Sequence, residues 1–284
     1  MATIAVVLHP TRPQARTLAE DLIASMGAQG HGVILPEADA TLVGRPDLAV
    51  PDADLGPKAD LAVSLGGDGT MLRSVELVAE AGVALIGVNL GQLGYLTEVE
   101  PHGLSEALDD FFAGRYQIEE RMLLSVRIHA ADGALPSRVV ALNEAVVERT
   151  QSGHTVRLDV GIDGADFTPY AADGLIVATP TGSTAYAFSA RGPIIAPTHR
   201  ALLLTPVSPH MLFDRSLILD AETVLTLSVT ERPATLTVDG RRLGALADGD
   251  RIECTAAPAS ARLVIFKPRD FHQILKHKFG LSDR

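Results

Sequence analysis

Apolar positions along the chain change their period twice, near Arg115 and again in the final segment. Before about Arg115, unbroken apolar runs alternate with stretches of helical spacing. Thr3–His9, Leu61–Leu65 and Val83–Asn89 predict strands buried on both faces, and a further strand is expected near Gly32–Leu35. Between them Leu18, Leu22, Ile23 and Met26 share one helical face, as do Leu72, Val75, Leu77, Val78 and Ala79. Pro101 opens a third helix carrying Leu104, Leu108, Phe111 and Phe112. Strands alternating with helices predict a parallel, Rossmann-like sheet with ligand loops at the carboxyl ends of its strands. Residues 36–57 break the pattern with four prolines, scattered aspartates and little periodicity, and predict a long exposed loop able to act as a lid.

Beyond Arg115 the pattern alternates, in Leu123–Ile128, Val139–Leu142, Val156–Val160 and Leu225–Val229. Asp-Gly pairs punctuate these runs at Asp132-Gly133, Asp163-Gly164 and Asp239-Gly240, as hairpins require. The expected architecture is an α/β domain over residues 1–116 and a β-rich domain over residues 117–261. The final segment, 262–284, becomes helical again at Phe271, Ile274, Leu275 and Lys278. No internal repeat or low-complexity tract is found.

One strand-to-helix junction carries chemistry: Leu65-Gly66-Gly67-Asp68-Gly69-Thr70. Glycines without Cβ can take positive φ and approach a phosphate closely, with the N–H groups of the following helix start aimed at the anion. No Gly-Lys-Ser/Thr follows, so this is not a Walker A loop, and the glycine spacing is not that of a dinucleotide fold. A carboxylate among phosphates is tolerable if it holds Mg²⁺ or accepts the proton of an attacking hydroxyl, which makes Asp68 the catalytic candidate. The competing reading is a simple Gly-Asp-Gly hairpin turn, disfavoured by the helical period that follows.

Composition narrows the partners. With 284 residues and 46% hydrophobic content, the chain can build full cores in two domains. A net charge of −11 argues against a nucleic-acid surface. Lysine occurs only at Lys58, Lys267, Lys276 and Lys278, so phosphate charge must be met by backbone N–H groups, arginines and Mg²⁺ rather than by a mid-chain lysine. The single cysteine, Cys254, excludes an intramolecular disulfide and suits a reducing cytoplasm. No membrane-length apolar run and no leader pattern at Met1–His9 is present, so a soluble protein is expected.

In the β-rich half, Asn143-Glu144 follows an apolar run, an arrangement able to read the adjacent hydroxyls of a ribose, or simply a surface turn. Farther on, Thr181, Ser183, Thr184, Tyr186 and Ser189 place five hydroxyls within nine positions, more than serine and threonine turns would need. The glycine-aspartate loop, then Gly91-Gln92-Leu93-Gly94-Tyr95-Leu96-Thr97, Asn143-Glu144 and Asp173-Gly174 through Thr179-Pro180-Thr181-Gly182-Ser183-Thr184-Ala185-Tyr186, resemble NAD kinases in order and spacing. Thr205–His210 and Val238-Asp239-Gly240 resemble later motifs of the same family.

The resemblance implies transfer of the γ-phosphoryl of ATP, with Mg²⁺, to the 2′-hydroxyl of the adenosine ribose of NAD, giving NADP. Inorganic polyphosphate is the alternative donor. It makes Asp68 the residue that orients and deprotonates that hydroxyl. It sets Asn143, Glu144, Asp173, Thr184, Ala185, Tyr186 and Ser189 around the dinucleotide, with Tyr95 near its adenosine part. Gly67, Gly69, Arg73 and Thr181 complete the expected binding set, and no residue is assigned directly to metal. It also implies that segment 262–284 rejoins the first domain, and that the chain forms a homodimer or homotetramer.

Two departures stand out: Arg191, where the family more often has glycine, and Arg241-Arg242 after Asp239-Gly240, where it often has glutamine. Arg191 would either face the site and meet phosphate or point to solvent. The alternatives in function are a lipid kinase sharing the glycine-aspartate loop and a non-catalytic dinucleotide sensor.

Overall fold

The computed structural model describes residues 1–91, 94–131, 133–151, 153–267 and 270–281. Gln92 and Leu93 of the second glycine loop, Asp132 of the first Asp-Gly pair, and 268–269 and 282–284 of the final segment lie outside the described residues. The chain divides into two compact units, Met1–Glu120 with Ala261–Arg284, and Arg121–Ser260.

In the first unit, β1 (Thr3–Leu8) pairs in parallel with β2 (Gly32–Pro36) on one side and β4 (Leu61–Gly66) on the other. Short β3 (Ala49–Val50) extends the β2 side, and β5 (Ala84–Asn89) lies beside β4. The last residues of β17 (Arg251–Ile265) pair with β5 through Arg262 and Leu263. β4 and β5 are buried at every residue, which explains their unbroken apolar runs. Helix α1 (Pro13–Ala28) buries Ala15, Ala19, Leu22 and Met26, and α4 (Asp68–Val78) buries Met71, Val75 and Val78. The strand order β3-β2-β1-β4-β5 reverses between β1 and β4, and a crevice opens at the carboxyl end of such a switch point.

Residues 36–57 are not a loop. They form α2 (Glu37–Leu42), a 3₁₀ turn at Pro46–Leu48, β3 and α3 (Asp52–Lys58), with Asp39, Ala40, Leu55 and Gly56 buried. Helices of 6 and 7 residues span under two turns, too few for a period to emerge. Their signals were terminal: Pro36 and Pro51 at the N-caps, with Glu37, Asp39, Asp52 and Asp54 in the first turns, where carboxylates complement the helix dipole. Helix α5 (Leu104–Phe112) follows a 3₁₀ turn opened by Pro101.

The second unit holds two antiparallel sheets. One has the order β13 (Leu217–Asp220), β12 (Ala201–Val207), β11 (Gly174–Ala178), β8 (Glu144–Arg149), β15 (Ala234–Val238), β16 (Arg241–Leu246). The other runs β10 (Ala165–Ala172), β9 (Val156–Ile162), β14 (Leu225–Thr230), β17, with β6 (Gln117–His129) beside β17 and β7 (Arg138–Ala141) beside β6. Leu158, Val160, Leu225 and Leu227 of one sheet join Val147, Val177, Leu204 and Leu236 of the other in a single core that also buries Cys254. Asp163-Gly164 and Asp239-Gly240 are two-residue hairpin turns with both residues at positive φ, 52° and 80° in the first, 46° and 76° in the second. The four-residue α6 (Tyr186–Ser189) follows a 3₁₀ turn at Thr181–Thr184, and α7 (Phe271–Phe279) lies in the final segment. No described helix is long and apolar enough to cross a membrane.

The glycines of the Asp68 loop correct one expectation. None of Gly66, Gly67 and Gly69 has positive φ. Gly66 is needed for space, because a Cβ there would run into the Thr70 side chain, whereas Cβ atoms at Gly67 and Gly69 would meet nothing within 4 Å. Gly66→Ala should therefore destabilise the protein by about 1–3 kcal/mol, the usual range for overpacking. Gly69→Ala, inside α4, should stabilise by up to about 1 kcal/mol through helix propensity. Urea unfolding of both variants checks this, and equal effects at the two positions would contradict it.

Candidate active site

A cavity of about 550 Å³ opens at the β1–β4 switch point. Leu8, His9, Pro10 and Arg12 line it after β1; Gly67, Asp68, Gly69, Thr70 and Arg73 after β4; Gly91 and Gly94 after β5; and Lys278 from α7. Asp68 is the first residue of α4, where N–H groups lack intrahelical partners and favour an anion. Its Oδ2 accepts the Tyr95 N–H at 3.0 Å and its Oδ1 the Leu96 N–H at 3.1 Å. A Cβ at Gly94 would collide with this carboxylate, so the second glycine loop closes onto Asp68 only with glycine at that position. Each carboxylate oxygen keeps acceptor capacity for an incoming hydroxyl or a cation.

The cationic side of the cavity is fixed by other contacts. Arg73 Nη1 donates to Asp39 Oδ1 at 2.9 Å and Oδ2 at 3.2 Å, and Asp39 also accepts the Leu8 N–H at 2.8 Å. Burial pushes the Asp39 carboxyl above its ordinary range, opposed by the Leu8 N–H and by Arg73. Arg12 donates to the Leu90 carbonyl and its fork lies against Gly91. Lys278 Nζ sits 4.2 Å from the centroid of the Tyr95 ring. Burial and the charge of Asp68 push the Tyr95 phenol up. With Arg73 neutralised by Asp39, Arg12 and Lys278 outweigh Asp68, so the cavity is locally positive in a chain of net charge −11.

The remaining predicted residues lie in the β-rich unit. Asn143-Glu144 is the junction from β7 to β8, and Asp239 holds it: its carboxylate accepts the N–H groups of Leu142 at 2.7 Å, Asn143 at 2.7 Å and Glu144 at 3.1 Å. Thr179 adds its hydroxyl to the Leu142 carbonyl and its N–H to the Asn143 carbonyl. Gly182 is packed so closely that a Cβ would strike that carbonyl. Glu144 is 6% exposed, and its Oε2 has no partner among the described residues. Burial and then Asp239 push its carboxyl from 4.5 to about 7, against the Tyr186 N–H that it accepts.

The hydroxyl-rich segment is less open than its composition suggests. Ser183 is buried, donating to Pro180 O and accepting from Ile195 N; Thr184 donates to Thr181 O; and Thr181 pairs with Arg121 at 3.3 Å. These bonds shape the 3₁₀ turn, leaving Tyr186 and Ser189 exposed, with Ala185 half-buried. Burial, then the charges of Glu148 and Asp173, push the Tyr186 phenol up. Asp173 pairs with Arg149 at 3.3 Å.

Known proteins match both halves. Residues 49–116 match the ATP-NAD kinase N-terminal domain and residues 142–266 the ATP-NAD kinase C-terminal domain. An NAD kinase of Symbiobacterium thermophilum is 39% identical over 282 residues, covering 99% of each chain. The chain belongs to the NAD kinase family. An NAD kinase of Moorella thermoacetica is also 39% identical, over 98% of this chain and 89% of that one. Among solved structures, yeast NADH kinase complexed with NADH superposes with a TM-score of 0.90 at 27% identity, over 100% of this chain and 89% of that one. An Archaeoglobus fulgidus NAD kinase in complex with ATP gives 0.75 at 25%, over 99% and 100%.

Against that family pattern, Arg191 has a structural account. It is exposed and sits at φ 67°, the left-handed region where glycine carries no Cβ penalty. Arg241 and Arg242 are exposed at the start of β16. Five contributors were not singled out by sequence pattern: His9, Arg12, Asp39, Lys278 and the bracing role of Asp239. Only Asp239 had a signal, its Asp-Gly turn. The native state keeps the Glu144 proton to higher pH than the unfolded chain does, so the stability this gives is complete below pH 4.5 and is lost as pH rises through about 7. Denaturant titrations should show the stability of Glu144→Gln relative to wild type improving by about 3 kcal/mol between pH 4 and pH 8; a pH-independent difference would refute the assignment.

Proposed function

We propose that this chain transfers the γ-phosphoryl of ATP to the 2′-hydroxyl of the adenosine ribose of NAD, releasing ADP and NADP. The observation that carries the reading is the Asp68 carboxylate, seated by two backbone N–H groups inside a positively charged cavity at the switch point. Phosphoryl transfer asks a protein mainly for alignment and charge stabilisation. The positive end of the α4 dipole faces the phosphates, Arg12 adds positive charge, and Arg73, paired with Asp39, lines the same cavity. Asp68 accepts the hydroxyl proton as the ribose oxygen bonds to phosphorus and the bond to the ADP oxygen breaks. Asn143, Glu144, Asp173, Thr184, Ala185, Tyr186 and Ser189 hold the dinucleotide, Thr181 shapes their turn, and Tyr95 lies toward the adenosine.

Magnesium is held by one or two carboxylates together with substrate phosphates and waters, and Asp68, with acceptor capacity left on both oxygens, fits that mode. Bound with the nucleotide, the ion would neutralise phosphate charge. Assembly as a homodimer or homotetramer completes the reading. The exposed Phe167–Phe213 pair and Leu212 and Ile218 on the β-rich unit supply apolar surface for a second copy to cover, which light scattering on the purified protein tests. A reducing cytoplasm suits a chain whose single cysteine is buried, its thiol pushed up by burial.

The deciding assay is NADP formation from NAD, ATP and Mg²⁺, read by an NADP-specific dehydrogenase. Asp68→Ala should lower kcat by about 10²–10⁴, while Asn143→Ala and Tyr186→Phe should chiefly raise KM for NAD. A wild-type protein that forms no NADP with either ATP or polyphosphate would sink the reading and favour a dinucleotide sensor.

A further inference from the structure

We propose that Lys278, from the carboxyl-terminal helix, binds the terminal phosphates of the phosphoryl donor. This rests on the kinase reading above and assigns it a residue far from the glycine-aspartate loop in sequence. Lys278 lines the same cavity as Gly67, Asp68, Gly69 and Thr70. The two arginines of that cavity are committed elsewhere, Arg73 to the buried Asp39 and Arg12 to the Leu90 carbonyl. Lys278 is exposed, and its ammonium rests over the face of the Tyr95 ring. An exposed ammonium resting on one half-buried aromatic ring is weakly held, and its four-carbon stem lets it move to a phosphate oxygen as a compact point charge.

Its anchoring is as well defined as its freedom. Helix α7 is capped at its start by Asp270, whose side chain accepts the N–H groups of His272 at 2.9 Å and Gln273 at 3.3 Å. It ends on Gly280 at φ 60°, with the Leu281 N–H returning to the Lys276 carbonyl. Lys278 thus sits in a closed last turn, with its base fixed and its tip loose. Tyr95 links it to the chemistry, since the backbone N–H of Tyr95 seats Asp68 while its ring carries the ammonium. A triphosphate entering the cavity would meet the helix start on one side and this ammonium on the other. A chain of phosphates from a nucleoside triphosphate or from inorganic polyphosphate offers the same chemistry.

Calorimetric binding of inorganic tripolyphosphate and of ATP to the full chain tests the assignment directly. Lys278→Ala should weaken both by about 10-fold or more, the effect of one charge-assisted contact. Lys278→Arg should keep most of the affinity. Arg16→Ala, removing an exposed α1 arginine paired with Glu20, should change nothing. In turnover, Lys278→Ala should raise KM for ATP by a similar factor and leave KM for NAD unchanged. Tripolyphosphate binding that is lost in Lys278→Ala, together with a wild type that forms no NADP, would support the site and overturn the kinase reading. A wild type that makes NADP while Lys278→Ala binds tripolyphosphate and ATP normally would overturn the role of Lys278 alone. ATP affinity lost with tripolyphosphate affinity intact would place Lys278 outside the phosphate site and overturn it too.

Discussion

A carboxylate has to be held and aimed inside a locally positive cavity, and much of the α/β unit serves that constraint. Asp68 meets it through position and partners together. The first turn of α4 supplies a favourable dipole, and the N–H groups of Tyr95 and Leu96 grip both oxygens. Those two bonds require the second glycine loop to approach within contact, which only a glycine at 94 allows. The loop in turn follows β5, whose place beside β4 is set by a register running from Leu61 with Ala84 to Gly66 with Asn89. The positive charge of the cavity comes from side chains brought in after β1 and from α7, not from the glycine loop itself.

The β-rich unit solves a different problem, holding a polar turn rigid at the end of an apolar sheet. Asp239 collects three successive N–H groups, Thr179 satisfies two carbonyls, and Gly182 leaves room for the second of them. This grip places Glu144 in a dry setting beside another carboxylate. A buried acceptor oxygen without a partner is expensive in a folded chain unless a ligand supplies the missing donor. Stability surrendered at such a position is a usual mark of a site organised for binding.

Long periodic elements were legible because each one buries a full face. The strands Thr3–Leu8, Leu61–Gly66 and Ala84–Asn89 and the helices after them follow from their apolar runs, and Asp163-Gly164 and Asp239-Gly240 turn as their chemistry dictates. The segment 36–57 is illegible to periodicity because its helices are too short to show a period and its prolines mark helix starts as readily as loops. The glycines around Asp68 suggest backbone freedom by composition, but none of them has positive φ, and it is contact with Thr70 that excludes a side chain at Gly66. Of the five clustered hydroxyls, Ser183, Thr184 and Thr181 turned out to bond within their own unit.

By itself the sequence determined what is local: the alternation of strand and helix, the change to a β period after Arg115, the hairpin turns, and a carboxylate set at a glycine-rich helix start. Those features depend on neighbours within a few residues, so spacing alone carries them. Only the tertiary structure decided which distant groups meet. Asp39 reaches Arg73, Asp239 reaches Asn143, and Lys278 reaches the ring of Tyr95 across separations that no local pattern encodes. The lysines are absent from the middle of the chain, yet one of them lines the cavity around Asp68, because packing brings the last helix to the edge of the first sheet.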